Sequence, residues 1–253
     1  MTRQRRKRIL GNNRIFVYCA LMEKPVYPMR INKYLALKQY CTRREADELI
    51  KKGKVFINGK TAVLGDKVLE KDVVDVKFRA KKYRYYAYNK PRGVITHSPQ
   101  GDEKDIAMIT PLEGVFPVGR LDKDSYGLII LTDDGRITDK LLNPDYVHEK
   151  EYLVRTARDL RPSFKEHMEK GVDIGDFITK KCEVNVIGSR LFTIKLTEGK
   201  KHQIRRMCAA MHNDAVELER IRIMNIQVKG IPPGGYRAIE GKELETFLKA
   251  LGF

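Results

Sequence analysis

A single aspartate inside a glycine-flanked, basic segment is the first candidate for chemistry. Residues 118–127 read VGRLDKDSYG and lead directly into the apolar run at residues 128–132. Glycine turns followed by a buried strand can hold the carboxylate of Asp122 in place, and adjacent Arg and Lys side chains favour its ionised form. Such a carboxylate can act as a nucleophile or as a base. The sequence also leaves open an alternative, a surface loop in which Asp122 only caps a turn.

A tyrosine at the start of a strand can complete a site around this aspartate. HEKEYLV at residues 148–154 places Tyr152 directly after a charged approach. Its ring can stack on a planar ligand such as a nucleobase, because every base has an aromatic face. Ordinary packing of the ring against the core is the alternative.

A second basic segment, EGKKHQIRRM at residues 198–207, opens a helix predicted over residues 202–211. The apolar positions that recur at helical spacing and face the core are Ile204, Met207, Cys208 and Met211. Arg205 lies next to this stripe and can reach inward to pair with a carboxylate, whereas Lys201 and Arg206 remain available for phosphates. An ordinary charged helix start without a ligand is the alternative.

A basic turn, NKPRG at residues 89–93, follows a strand predicted over residues 85–89. Its proline and glycine favour a turn at this point. Lys90 and Arg92 can contact RNA phosphates near a site. A plain connection between two strands explains the same residues equally well.

The elements that must position these residues form a body of short strands and helices. Further strands are predicted at residues 128–132, 152–156, 181–187 and 191–196, and further helices after residue 135 and over residues 241–251. Many short strands joined by loops of differing length indicate an α+β fold with a mixed, largely antiparallel sheet.

A small separate module is predicted ahead of this body. A helix over residues 31–37 is followed by a second one, which Thr42 and Glu45 start as a T-x-x-E capping box. An Asn-Gly pair after the next β-rich run signals a hairpin, and a valine-rich run closes the small sheet. The basic side chains on or just after the second helix include Arg43, Arg44, Lys51 and Lys54. They can follow a phosphate backbone.

Positive charge is concentrated towards the N-terminus. Residues 1–89 hold 23 basic and 8 acidic side chains, which places +15 of the formal +17 in this third of the chain. A basic arm attached to a nearly neutral body indicates a polyanionic partner, above all a nucleic acid. Residues 1–28 are predicted to be a basic, flexible extension, and Met1, Met22 and Met29 are all candidate translation starts.

Several other classes of protein lose support from what the sequence lacks. It contains no stretch of about 18 apolar residues, no GxxxxGK[ST] or GxGxxG loop and no HExxH motif. Cys19, Cys41, Cys182 and Cys208 lie far apart, so neither a disulfide framework nor a zinc site is indicated. The sequence therefore predicts a soluble, cytoplasmic protein that works without ATP, dinucleotide or metal chemistry.

Taken together, the motifs resemble a known family. The stretch MRINKYLALKQYCTRREADELIKKGKVFINGK is similar to an S4 RNA-binding domain. Behind it, NKPRG, VGRLDKDSYGLIILTDDG, EKEYLV and EGKKHQIRRM follow in an order that resembles the RsuA-type family of ribosomal RNA pseudouridine synthases. The resemblance covers nearly all of residues 29–253. HEKEYLV, KKC at residues 180–182 and LERIRIMNIQVKGIPPGGYR at residues 218–237 are most similar to the large-subunit pseudouridine synthase F branch.

The resemblance implies an enzyme that isomerises uridine to pseudouridine in structured RNA without a cofactor, with Asp122 as the catalytic aspartate. It implies that Arg120 helps to displace and replace the flipped nucleotide and that Tyr152 stacks on the target uracil. It also implies that Arg205 pairs with the catalytic carboxylate and that Ile204 is an apolar contact beneath the base. Whether Asp122 attacks the ribose or the base stays open.

The substrate implied by the resemblance is large-subunit (23S) ribosomal RNA, with transfer RNA as a second candidate. The protein is expected to be a monomer with an S4 domain at residues 29–78 and a catalytic domain at residues 79–253. The alternative function is a non-catalytic S4-type RNA-binding factor for ribosome assembly. A nuclease has less support, because no acidic cluster or histidine pair is placed for cleavage.

Overall fold

The computed structural model of the chain describes residues 26–77 and 81–253. Most of the predicted N-terminal extension, residues 1–25, lies outside the described residues, and so does the predicted domain boundary between residues 78 and 79. No helix within the two described ranges is long and apolar enough to cross a membrane.

The N-terminal part folds around two short helices. Its elements in chain order are β1 (Met29–Arg30), α1 (Ile31–Leu37), α2 (Arg43–Lys51), β2 (Val55–Ile57), β3 (Lys60–Thr61), β4 (Lys67–Val68) and β5 (Val74–Val76). The Thr42 hydroxyl accepts a hydrogen bond from the Glu45 N–H at 3.2 Å, and the Glu45 carboxylate accepts one from the Thr42 N–H at 2.9 Å. This confirms the predicted capping box. Asn58 and Gly59 both have positive φ and make the predicted hairpin turn between β2 and β3.

The C-terminal part is built on one large sheet. Its elements are β6 (Tyr85–Lys90), α3 (Ile106–Ile109), β7 (Phe116–Val118), β8 (Tyr126–Thr132), α4 (Ile137–Leu142), a 3₁₀ turn (Pro144–Tyr146), β9 (Lys150–Thr156), α5 (Phe164–Lys170), β10 (Glu183–Gly188), β11 (Leu191–Leu196), α6 (Gln203–Ala210), β12 (Ala215–Ile223), β13 (Ile226–Gln227), β14 (Tyr236–Ala238) and α7 (Gly241–Ala250). The strand order is β10-β11-β9-β12-β8-β6-β14, with β7 beside β8 and β13 beside β12. All of these pairs are antiparallel except β12 with β8. The predicted fold class is confirmed.

Apolar clusters cover both faces of this sheet. Leu128 and Ile130 of β8 pack in one cluster with residues of α4 and α7, whereas Ile129 and Leu131 pack in another with Ile106 of α3. Because successive side chains of a strand point to opposite faces, these two clusters lie on opposite sides of β8. A further cluster joins α5 and α6 to β9, β10 and β11. The centre of the sheet is therefore rigid on both sides.

A row of paired residues crosses the four central strands next to the loop that carries Asp122. Lys90 on β6 pairs with Gly127 on β8, Gly127 pairs with Arg220 on β12, and Arg220 pairs with Tyr152 on β9. Gly127 has φ +102°, and a Cβ atom there would lie 2.5 Å from the Arg220 carbonyl oxygen. Only glycine lets β8 and β12 approach so closely at this position. The sheet register thus brings the strand of Tyr152 beside the Asp122 loop.

Candidate active site

Asp122 lies in the loop between β7 and β8, residues 119–125. Gly119 and Gly127 flank it, both with positive φ, as the glycine-flanked turns predicted. Within the loop, the Ser125 N–H donates to the Asp122 carbonyl oxygen at 3.1 Å. The side chain of Asp122 is 39% exposed, so the loop presents a carboxylate that a substrate can reach.

Each backbone carbonyl oxygen from residue 120 to residue 125 accepts a hydrogen bond. In order along the loop, the donors are Arg220 Nη1 (3.5 Å), Thr96 Oγ1 (2.9 Å), Ser125 N (3.1 Å), Gly93 N (2.8 Å), Arg205 Nη2 (3.4 Å) and Lys90 Nζ (2.7 Å). Three of these donors lie within residues 90–96, one lies in the loop itself, and the other two come from α6 and β12. A loop held from so many directions is preorganised, which positions Asp122 before any substrate arrives.

Lys90 has a different place from the one predicted. It is the last residue of β6 rather than part of the turn, it is completely buried, and its ammonium donates to the carbonyl oxygens of Ser125 at 2.7 Å, Pro91 at 3.0 Å and Lys123 at 3.4 Å. The prediction that Lys90 contacts RNA is therefore wrong, because its three donors are used by backbone carbonyls. Burial lowers the pKa of Lys90 to about 8, and the nearby carboxylates of Asp122 and Asp124 oppose that shift.

Thr96 fixes the residue just before the aspartate. Its hydroxyl accepts from the Leu121 N–H and donates to the Leu121 carbonyl oxygen, both at 2.9 Å, and the residue is 3% exposed. One side chain thus supplies both hydrogen bonds that a neighbouring strand would supply. The sequence held no signal for this role, since Thr96 lies in the mixed segment VITHS at residues 94–98.

Thr96→Val is expected to lower turnover by about 10- to 50-fold and stability by ~2 kcal/mol, since valine keeps the shape but leaves two buried backbone groups of Leu121 unsatisfied. Thr96→Ser keeps the hydroxyl and is the matched control. Single-turnover rates and denaturant unfolding measure both effects. A valine variant as active as the serine variant would show that the clamp on Leu121 does not position Asp122.

The side chain next to the Asp122 carboxylate is His202. Its Nε2 lies 3.4 Å from Asp122 Oδ1, an ion pair only when the imidazole is protonated. His202 has φ +53°, which is not a helical conformation. It therefore precedes α6, whereas the sequence predicts that the helix begins at this residue. A non-glycine residue in this conformation is uncommon and is often found at functional sites. Sequence reasoning gave His202 no role.

The predicted pair between Arg205 and Asp122 is not formed in this structure. Arg205 Nη1 donates to the Ala215 carbonyl oxygen at 2.6 Å, and Nη2 donates to the Asp124 carbonyl oxygen at 3.4 Å. The first residue of β12 therefore holds the guanidinium, and Arg205 reaches the backbone of the Asp122 loop instead of its carboxylate. Its implied catalytic role stays a prediction.

The two residues expected to contact the base, Tyr152 and Ile204, belong to one apolar cluster. Tyr152 is partly buried on β9 and packs against the apolar cluster that contains Ile204, which is 4% exposed in the first turn of α6. The stripe of α6 predicted from the sequence is confirmed, because Ile204, Met207 and Cys208 are all buried. The roles of Tyr152 and Ile204 towards a uracil stay predictions.

The predicted phosphate contacts divide into free and occupied side chains. Arg92, Arg120 and Lys201 are exposed and remain available. Arg206 already has partners, because its guanidinium pairs with Asp176 and donates to the Ile174 carbonyl oxygen. Because Asp176 is exposed, this pair does not prevent a later contact with RNA, and the role of Arg206 towards the substrate stays a prediction.

Neither a metal centre nor a reactive thiol is indicated around the site. Within residues 26–77 and 81–253, no group of three or more His, Cys, Asp or Glu side chains could hold a metal ion. Cys41, Cys182 and Cys208 are free, and burial raises the pKa of the first two to about 11 and that of Cys208 to about 12. Cys19 lies outside the described residues. The chemistry that this site offers is that of a positioned carboxylate.

The comparisons with known proteins agree with this site. A family model described as RNA pseudouridylate synthase matches residues 84–210, and an S4 domain model matches residues 29–74. Dual-specificity RNA pseudouridine synthase RluF is 41% identical in Salmonella typhi, over 88% of this chain and 79% of the relative, and 40% identical in Escherichia coli K12, over 90% and 81%. A crystal structure of a pseudouridylate synthase superposes with a TM-score of 0.64 at 25% identity, over 88% of this chain and 99% of that one. The chain is an RNA pseudouridine synthase of the RsuA family with an N-terminal S4 domain.

Proposed function

We propose that this enzyme isomerises specific uridines in large-subunit ribosomal RNA, with Asp122 as the catalytic group. The observation that carries the proposal is the reachable carboxylate of Asp122 on a loop whose successive carbonyls are all hydrogen-bonded, beside the strand of Tyr152. The names of the RluF relatives describe a dual-specificity enzyme, and we extend the proposal to transfer RNA as a second substrate. The enzyme acts as a monomer in the cytoplasm.

The reaction adds and removes no atoms. The bond between N1 and C1′ breaks with its electron pair left on the base, the uracil turns, and C5 bonds to C1′. C5 then loses its proton and N1 gains one. The ionised Asp122 can drive this sequence either by attack on C1′ or by attack on the base, and in both routes it must be unprotonated and in reach.

The target nucleotide must first leave its stack, since a stacked base does not expose C1′ or C6 to a carboxylate. Flipping costs a few kcal/mol. Tyr152 offsets part of this by stacking on the extruded base, with the apolar side chain of Ile204 beneath it. The exposed Arg120, two residues before Asp122, fills the space that the base vacates. The loop that carries Arg120 and Asp122 thereby displaces the base from the RNA helix and places the catalytic carboxylate beside it.

Affinity for the RNA comes from basic side chains away from the reacting atoms. Arg43, Arg44, Lys51 and Lys54 are exposed on or just after α2. Arg92 and Lys201 add positive charge beside the catalytic loop. Contacts of this type weaken with salt and carry little sequence information, so the fold of the RNA selects the target.

Nucleotide-resolution pseudouridine mapping on total RNA tests the proposal. Cells with and without this gene are compared by carbodiimide adduct formation and reverse-transcription stops, with complementation by wild type or Asp122→Asn. A large-subunit site that disappears on deletion and returns only with wild type supports the proposal. An unchanged map would favour a non-catalytic RNA-binding factor for ribosome assembly, and a signal confined to transfer RNA would overturn the ribosomal assignment.

A further inference from the structure

A buried ion pair closes the far end of β8, opposite the end where Asp122 lies. Asp134 is completely buried, and its carboxylate accepts hydrogen bonds from Arg136 Nε and Nη2, both at 2.8 Å, and from the Tyr85 hydroxyl at 2.5 Å. A buried pair with every polar atom satisfied has one well-defined geometry. The guanidinium of Arg136 is therefore held firmly in the catalytic domain.

The same guanidinium reaches the S4 domain. Arg136 Nη1 donates to the carbonyl oxygen of Gln39, in the turn between α1 and α2, at 3.0 Å. The Gln39 side chain donates in return to the Gly252 carbonyl oxygen, close to the C-terminus, at 2.9 Å. The guanidinium also lies over the rings of Tyr83 and Phe253, at 4.3 and 5.1 Å from their centroids. Arg136 thus joins the α1–α2 turn to the catalytic domain.

A second contact fixes the start of the RNA-binding helix itself. The Tyr83 hydroxyl donates to Glu45 Oε2 at 2.7 Å, and Lys81 Nζ lies 3.2 Å from Glu45 Oε1. Glu45 is the capping-box residue of α2. Its carboxylate therefore caps the N-terminus of this helix and also binds the helix to Tyr83 and Lys81 at the start of the catalytic domain. We call the contacts of Arg136, Gln39, Tyr83 and Glu45 the domain clamp.

The clamp and the catalytic loop lie at the two ends of one strand. β8 follows the Asp122 loop directly and runs for seven residues, about 23 Å, to the segment that carries Arg136. Its side chains are buried on both faces between residues 128 and 131, so it does not bend independently of the sheet. The distance from α2 to Asp122 is thereby set by covalent structure and packing.

We propose that Arg136 is a specificity-determining residue, which holds α2 at a fixed distance and orientation from Asp122 and so restricts turnover to uridines that a folded RNA presents at that separation. The inference rests on the proposed function and names how that site selects its RNA. A loosely tethered S4 domain would only raise the local concentration of RNA and would accept a range of separations. With the domain clamp in place, the S4 domain instead holds its RNA contact at one distance from Asp122.

The test uses full-length variants that open the clamp without burying a lone charge. Arg136→Gln is combined with Asp134→Asn, and Tyr83→Phe is a second, milder variant that removes only the hydroxyl bonded to Glu45. Arg84→Gln is the matched control, because this arginine pairs with Asp133 and the Glu113 carbonyl within the catalytic domain. Small-angle X-ray scattering without RNA is expected to match a docked S4 domain in wild type and control, and a more extended particle in the double variant.

The selectivity readout compares two transcripts of the large-subunit RNA fragment that contains the mapped uridine. In one of them, five base pairs are inserted between the target and the rest of the folded element. Wild type and Arg84→Gln are expected to prefer the native fragment at least tenfold in kcat/KM, and the double variant less than threefold, with turnover of a short target stem-loop within twofold for all three. Tyr83→Phe is expected to fall between them.

An equal preference for the native transcript in wild type and double variant would overturn the proposal. Scattering that shows an undocked S4 domain in wild type would overturn it as well. Failure of the proposed function has a different signature. In that case wild type modifies neither transcript, while the scattering result for the clamp is unaffected.

Discussion

Asp122→Asn is expected to abolish isomerisation, by about 10⁴-fold or more in single-turnover rate, while RNA affinity changes by less than twofold. An amide keeps the size of the carboxylate but is neither a nucleophile nor a base, and loss of a nucleophile removes most of an enzyme's chemical acceleration. The backbone of the loop does not depend on this side chain, since the donors that hold it bind carbonyl oxygens. Tritium release from RNA that carries 5-tritiated uridine measures the rate, and filter binding measures the affinity.

Asp124→Asn is the matched control for this experiment. Asp124 is an exposed aspartate two residues further along the same loop, and Arg205 holds its backbone carbonyl, not its carboxylate. The control is expected to keep turnover within about threefold. If the two variants lost activity equally, the loop as a whole and not the Asp122 carboxylate would be the catalytic requirement.

Elements with a strong local signal were predictable from the sequence. The capping box of Thr42 and Glu45, the Asn-Gly hairpin and the apolar run that became β8 all depend on contacts within a few residues of the chain. For the same reason the glycines around Asp122 could be interpreted as turns. Such signals do not require knowledge of the rest of the fold.

The central strand β12 was not predicted, although it is the longest in the described chain. Its four charged residues, Glu217, Glu219, Arg220 and Arg222, alternate with apolar ones except at the adjacent pair Glu219 and Arg220, which shifts the phase and leaves two short runs of four residues each. They are tolerated because β12 lies beside the site, where Arg220 donates to the Leu128 carbonyl oxygen at 2.7 Å and Arg222 pairs with Glu151 at 2.7 Å. The shift of phase in the middle of β12 therefore obscured a strand that each half of the pattern would otherwise indicate.

The members of the site were easier to identify than their contacts. Asp122, Tyr152 and Arg205 come from three distant segments that the fold brings near one another, and their roles towards a uridine stay predictions. The contacts in the structure differ from the predicted ones where a nearer group competes: Arg206 pairs with Asp176, Arg205 donates to the Ala215 carbonyl oxygen, and Lys90 donates to loop carbonyl oxygens. Such competition depends on distances of a few ångströms, which residue types and spacing do not specify.

Substitution of the buried Lys90 is expected to change turnover much more than the free energy of unfolding. Its pKa of about 8 lies below the usual 10.5, so the unfolded chain binds one more proton than the folded chain between these values. Stability therefore rises with pH from about 8 to 10.5, and below pH 8 the buried charge lowers stability by a constant ~3 kcal/mol. Methionine fills similar volume without this penalty, but it leaves the Ser125 and Lys123 carbonyls with fewer donors.

Lys90→Met is accordingly expected to change unfolding free energy at pH 7 by less than ~1.5 kcal/mol, because the relieved desolvation offsets the lost hydrogen bonds. Turnover is expected to fall by about 10²-fold, since the loop that positions Asp122 loses its central donor. The rise in stability above pH 8 should be about half as steep in the variant, because burial also lowers the pKa of Lys150 to about 8. Lys195→Met, at a strand lysine paired with Glu183 at 2.7 Å, should change neither property. Denaturant unfolding at pH 7, 8.5 and 10 and single-turnover rates measure both effects, and unchanged turnover in Lys90→Met would mean that the remaining donors suffice to hold Asp122 in place.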